Sequence, residues 1–171
     1  IHSNWHAEGE ANVSEAEGKF ILMANPLAKR KIYFIAAGSG ITPIMSMIRE
    51  LLENEPASEM HLLYGSRDED NIIFKEELDK LAERHAGQLF VTYTLSQPKK
   101  EKGKGLTSIF KKSKSSWQGE QGRINGQMLK KWTSNISNTD LAYICGPGNL
   151  IEQCEENLLS LGMKESQIFK E

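Results

Sequence analysis

The sequence predicts a doubly wound α/β domain, with a five-stranded parallel sheet carrying helices on both faces. Two observations predict the class. Short apolar runs rich in β-formers alternate with amphipathic helical stretches along most of the 171 residues. In addition, three turns with unusual glycine chemistry all fall where a strand has just ended. Strands alternating with helices imply right-handed β-α-β units and a parallel sheet.

The first strand is KIYFIAAG, Lys31 to Gly38. GSGITP follows at once, from Gly38 to Pro43, and then IMSMIRELLEN. Thr42 is placed to cap this helix and Pro43 to occupy its first position. Ile44, Met47, Ile48, Leu51 and Leu52 fall on one apolar stripe. The order then repeats, with a second strand from Met60 to Arg67 and a second helix from Phe74 to His85. Phe74, Leu78, Leu81 and Ala82 share one side of that helix.

A third strand covers Gln88 to Ser96, and a weaker helix lies near Gly126 to Trp132. The fourth strand is Asp140 to Gly146, and the next helix runs from Pro147 to Leu161 with Ile151, Cys154, Leu158 and Leu161 inward. Gly162 sits where a helix C-terminal glycine belongs. A short fifth strand around Gln167 to Phe169 completes the sheet.

Composition narrows the functional classes. The chain is 39% hydrophobic and 26% charged, with net charge −2. Two cysteines, Cys145 and Cys154, offer no disulfide framework, which fits a reducing cytoplasm. No apolar run approaches the roughly 18 residues of a membrane span, so no membrane association is expected. The N-terminal stretch is polar and acidic, has no initiator Met and lacks signal-peptide order. Both ends are expected to be cut from a longer protein.

Between Lys99 and Trp117 seven lysines face one glutamate, which leaves the rest of the chain strongly acidic. That lysine-rich insertion, at about 98–118, is either a solvated loop or a steering patch for an acidic partner or for phosphates. The acidic body argues against nucleic acid.

Parallel sheets of this kind bind ligands at the carboxyl ends of their strands. Gly38 and Gly40 permit positive φ and close backbone approach, and the following helix points its free N–H groups at that space. The turn therefore suits a pyrophosphate, or it is simply tight. Arg67 either contacts a phosphate or pairs with Asp68, Glu69 or Asp70. Cys145 reads as a small buried hydrophobe more readily than as a nucleophile, since no histidine adjoins it. The four scattered histidines show no metal-ligand spacing, so no metal site is expected.

Taken together, GSGITP (Gly38–Pro43), YGSR (Tyr64–Arg67) and CGP (Cys145–Pro147) resemble the nucleotide domain of the ferredoxin–NADP reductase superfamily, a Rossmann-like fold. EGKFIL (Glu17–Leu22) resembles the strand that closes the flavin domain of such proteins. The resemblance divides the chain into a tail and flavin-domain remnant at 1–25 and an NAD(P)-binding domain at 26–171. TLSQP (Thr94–Pro98), GRING (Gly122–Gly126) and the ending IFKE look most like reductases of multicomponent oxygenases, of the phenylacetyl-CoA oxygenase type.

The resemblance implies an oxidoreductase in which hydride passes from NADH or NADPH to FAD. The FAD would be held by a flavin domain in cis, and electrons would go on to a 2Fe-2S centre beyond Glu171 and to an oxygenase or other acceptor. It implies that Gly38, Ser39, Gly40, Ile41, Thr42 and Pro43 cradle the pyrophosphate and the nicotinamide side. Gly65, Ser66 and Arg67 would meet the adenosine phosphates, with Ser96 near the adenosine. Cys145, with Gly146 and Pro147, would lie beside the nicotinamide, and Cys145 and Thr42 are the two residues assigned to the reacting end. Gln97 stands where relatives often carry an arginine for a 2′-phosphate, which leaves NADH against NADPH open. The isolated chain would be inactive without its flavin domain. A flavodoxin-like signalling module is the alternative from another class, although the first strand ends Ala36-Ala37-Gly38 with no acidic cluster. A reductase of the same superfamily that serves a haem or ferredoxin acceptor is a third.

Overall fold

The computed structural model describes Glu15 and residues 17–99, 117–133 and 135–171. Among the described residues there are six strands: β1 (Lys31–Ala37), β2 (Glu59–Ser66), β3 (Leu89–Leu95), β4 (Glu120–Gln121), β5 (Leu141–Cys145) and β6 (Ile168–Lys170). Four helices connect them: α1 (Ile41–Asn54), α2 (Lys75–Arg84), α3 (Gly126–Trp132) and α4 (Gly148–Ser160). The sheet order is β4-β3-β2-β1-β5-β6, and every pair is parallel. From β1 the chain steps outward to β4, then returns to the other side of β1. The switch in direction therefore lies between β1 and β5, where a ligand crevice forms in such sheets.

Strand periodicity sorts the core into two layers. Ile32, Phe34 and Ala36 of β1 pack with Ile44, Ile48 and Leu51 of α1 and Leu78 of α2. Tyr33 and Ile35 face the other way, with Leu129 of α3 and Leu150, Cys154 and Leu158 of α4. All these β1 side chains are at most 1% exposed, as expected for a central strand covered on both sides.

Four expectations need correction. The sheet has six strands, because β4 adds a two-residue edge beside Thr94 and Leu95. Thr42 does not cap α1. A 3-10 turn at Gly38–Gly40 runs into the helix, Gly40 is its N-cap, and the Thr42 hydroxyl donates to the Ser39 carbonyl at 2.8 Å. Pro43 thus falls in the first turn at the third helical position, where its missing N–H costs nothing. Phe74 precedes α2 as its N-cap with φ 58, in the left-handed region, instead of belonging to the helix. Glu17–Leu22 joins no strand ladder among the described residues, although it runs beside β5 and β6, with Phe20 edge-on to Tyr143 and Gly18–Phe20 facing Ile168–Lys170. The in–out alternation survives: Phe20, Leu22 and Ala24 pack on the core, while Ile21 and Met23 are 61% and 78% exposed. Tyr143 pins this segment by donating its hydroxyl to the Ile21 carbonyl at 3.0 Å.

At the opposite end of the sheet from the crevice, Arg30 makes hydrogen bonds of 2.8 Å to both oxygens of the buried Glu55. Residues 100–116 of the lysine-rich insertion, and His2, Trp5 and His6, lie outside the described residues.

Candidate functional site

Three turns are drawn together at the carboxyl ends of β1, β2 and β5. Gly38 has φ +56, a conformation an L side chain rarely adopts, and opens the turn after β1. Gly40 serves a different purpose. A Cβ there would lie 2.2 Å from the Cys145 carbonyl oxygen, so this glycine lets the turn lie flush against the end of β5. Tyr64, fully buried on β2, ties the turn down. Its hydroxyl donates to the Gly38 carbonyl at 3.0 Å and accepts the Ile73 N–H at 3.2 Å. Burial pushes the Tyr64 phenol above its ordinary range, so it remains a donor.

The end of β2 is held to the end of β3 by backbone bonds beyond the strands. Ser96 N–H donates to Ser66 at 3.0 Å, and Gln97 N–H to Arg67 at 2.7 Å. The Arg67 side chain is 71% exposed, with Nε 3.2 Å from Gln97 Oε1 and 4.0 Å from Asp68 Oδ2. Arg67 thus borders the crevice and has the expected acidic neighbour in Asp68.

At the end of β5, Gly146 N–H donates to the Glu171 carbonyl at 3.3 Å, and Glu171 N–H to Ile144 at 3.0 Å. Cys145 is half-buried. Burial, and then the Glu171 carboxylate, raise its thiol above the usual value, so it stays protonated and weakly nucleophilic at neutral pH. Cys154 is more deeply placed, and burial pushes its thiol up to about 12.

These turns line one cavity of about 730 Å³. Gly38, Ser39, Gly40, Gly65, Ser66, Arg67, Ser96, Cys145, Gly146 and Pro147 all border it. Ile41, Thr42 and Pro43 do not: Ile41 is buried in the core, and Thr42 is exposed and bonded back to Ser39. The cavity also brings in residues that sequence reasoning missed, namely Gly122, Arg123 and Ile124 after β4, and Asn149, Leu150 and Gln153 on the first turns of α4. Arg123 follows a strand end just as Arg67 does, but a two-residue strand has no periodicity to reveal it. Gly65 gives Ile124 its place, since a Cβ there would stand 3.2 Å from Ile124 Cδ1.

The site residues fit an elongated, phosphate-bearing ligand. A volume of this size is ordinary for a cofactor site. Backbone N–H groups at the start of α1 have no side-chain cap, and no atom stands within 4 Å of the space a Cβ on Gly38 would take. Two arginines stand on the rim at the ends of β2 and β4.

The profile of the oxidoreductase NAD-binding domain family matches residues 34–156. Among curated proteins, the chain is 32% identical over 138 residues to nitrate reductase (NADH) 1 of Oryza sativa subsp. japonica, covering 79% of this chain and 14% of that one. It is 29% identical over 158 residues to NADH-cytochrome b5 reductase 1 of Dictyostelium discoideum, covering 92% and 49%. This chain therefore spans half or less of the length of either relative. Among solved structures it is similar to the CS-b5R domains of human Ncb5or in the NAD+ form, with TM-score 0.69, 28% identity, and 83% and 36% of the two chains covered. Amycolatopsis cytochrome P450 reductase GcoB shares the fold, with TM-score 0.71, 18% identity, and 99% and 47% covered.

Proposed function

We propose that this chain, which belongs to the oxidoreductase NAD-binding domain family, is the NAD(P)H-binding half of a flavin-dependent reductase of the ferredoxin–NADP reductase superfamily. The observation that carries the proposal is the convergence of the turns after β1, β2 and β5 on one cavity at the switch between β1 and β5. The N–H groups of the Gly38–Gly40 turn, which borders the cavity, hold the pyrophosphate. Arg67 and Ser96 meet the adenosine end. Cys145, Gly146 and Pro147 set the nicotinamide end, with the Cys145 thiol acting as a neutral contact that excludes water. Thr42 acts indirectly, through its bond to Ser39.

When bound, the nucleotide supplies the hydride, and a flavin held by a domain in cis accepts it. The chain contributes orientation. On this reading residues 1–25 are a polar tail and the last remnant of that flavin domain.

For the onward route we retain two readings. The resemblance of TLSQP, GRING and IFKE favours a 2Fe-2S centre and an oxygenase, while the name of the NADH-cytochrome b5 reductase relative favours cytochrome b5 as the acceptor. Iron and acid-labile sulfide analysis of the full-length protein separates the two. Calorimetric titration of the 171-residue chain with ADP-ribose tests the nucleotide reading itself. Saturable binding that weakens about tenfold in Arg67→Ala is expected for loss of a charged contact. Absence of binding refutes the proposal.

A further inference from the structure

The charges beside Arg67 bear on which dinucleotide the site accepts. We infer that the cavity selects the form whose adenosine ribose carries a free 2′-hydroxyl and disfavours the 2′-phosphorylated form, because Asp68 and Asp70 already pair with the two cations of this corner, Arg67 and Lys99. This deepens the nucleotide reading and rests on it.

Strand β2 runs out into Arg67-Asp68-Glu69-Asp70, one cation followed by three carboxylates. Arg67 is already engaged, with Nε on the Gln97 amide oxygen at 3.2 Å and the Asp68 carboxylate 4.0 Å away. Asp68 is fixed in place: its Oδ1 accepts Asn71 Nδ2 at 2.7 Å and the Asp70 N–H at 3.1 Å. Those bonds, the Asn71 side chain first, hold its carboxyl below the usual range, so it is ionised at neutral pH. Lys99, the next cation in reach, is taken as well. Its ammonium pairs with Asp70, and its backbone N–H donates to Glu69 Oε2 at 3.1 Å. Two cations thus face three carboxylates at this corner.

A ribose 2′-hydroxyl, which can donate to a carboxylate, is compatible with that corner. A 2′-phosphate brings nearly two further negative charges and finds Arg67 and Lys99 already partnered. Arg123 also borders the cavity, on its β4 side.

The test titrates the 171-residue chain calorimetrically with ADP-ribose and with 2′-phospho-ADP-ribose at low ionic strength. ADP-ribose is expected to bind tighter by about tenfold or more, the scale of one unfavourable charge contact. The ratio should shrink near 1 M salt, where the screening length falls to about 3 Å. In Asp70→Asn, which removes one carboxylate and releases Lys99, the 2′-phosphorylated ligand should gain more than ADP-ribose does. The inference is overturned if wild type binds the two ligands equally or prefers the phosphorylated one, or if Asp70→Asn moves both affinities by the same factor. If ADP-ribose binds without discrimination, the nucleotide reading stands and only the selectivity falls. If neither ligand binds, both fall.

Discussion

Removing a single oxygen from Tyr64 tests whether the glycine turn is held by its partner strand. Tyr64→Phe keeps the ring in the core beside α1 and deletes only the hydroxyl that bridges the Gly38 carbonyl and the Ile73 N–H. Each lost bond is worth about 0.5–1.5 kcal/mol net, so two give roughly 1–3 kcal/mol. Ile73 is 40% exposed and Gly38 lies at the surface, so water can replace part of the loss. The expected destabilisation is therefore in the lower half of that range, about 1–2 kcal/mol. In urea, with a slope of about 2 kcal/mol/M, the unfolding midpoint should fall by roughly 0.5–1 M.

The variant should also bind ADP-ribose more weakly, by about three- to tenfold, since the ligand must then order the Gly38–Gly40 turn that the phenol holds in wild type. Equilibrium urea unfolding and calorimetry on the same preparation check both quantities. A midpoint unchanged within error together with an unchanged Kd would refute the idea that Tyr64 braces the turn.

Other expectations follow from the same geometry. Gly40→Ala forces a Cβ to within 2.2 Å of the Cys145 carbonyl, so one of two backbones must move. A loss of stability of about 2 kcal/mol or more is expected in thermal unfolding, and a neutral effect would contradict the packed turn. The raised Cys145 thiol implies slow alkylation by iodoacetamide at neutral pH, with a rate that climbs as pH passes upward through the ordinary thiol range and beyond. Glu171→Gln removes the carboxylate that helps to raise it and should speed the neutral-pH reaction; a slower reaction would show that Glu171 acts otherwise.

Much of this arrangement is legible in the sequence, and the gaps have physical causes. β1 announces itself because a central strand buried on both faces is an unbroken apolar run, Ile32 to Ala36. α3 matches its expected span of Gly126 to Trp132, with Asn125 capping it through the Gln127 and Met128 N–H groups. β4 is invisible because two residues carry no period, and with it went Arg123 and Ile124 of the cavity. The second role of Gly40, whose φ is −59 and not positive, is hidden for a related reason. A sequence shows that a glycine is needed, but not whether a ligand or another stretch of backbone comes close. Thr42 has the chemistry of a cap and the wrong position for one, because the 3-10 turn delays nothing and starts the helix at Ile41.

The central claim, that the turns after β1, β2 and β5 form one nucleotide site, is tested most directly by amide chemical-shift mapping. The isotopically labelled 171-residue chain would be titrated with ADP-ribose. The account predicts that the largest shifts fall at Ser39, Gly40, Ser66, Arg67, Ser96 and Arg123, while Lys31, Glu59 and Leu141 at the opposite strand ends barely move. Shifts concentrated at that opposite end, or none at all under saturating ligand, would contradict it.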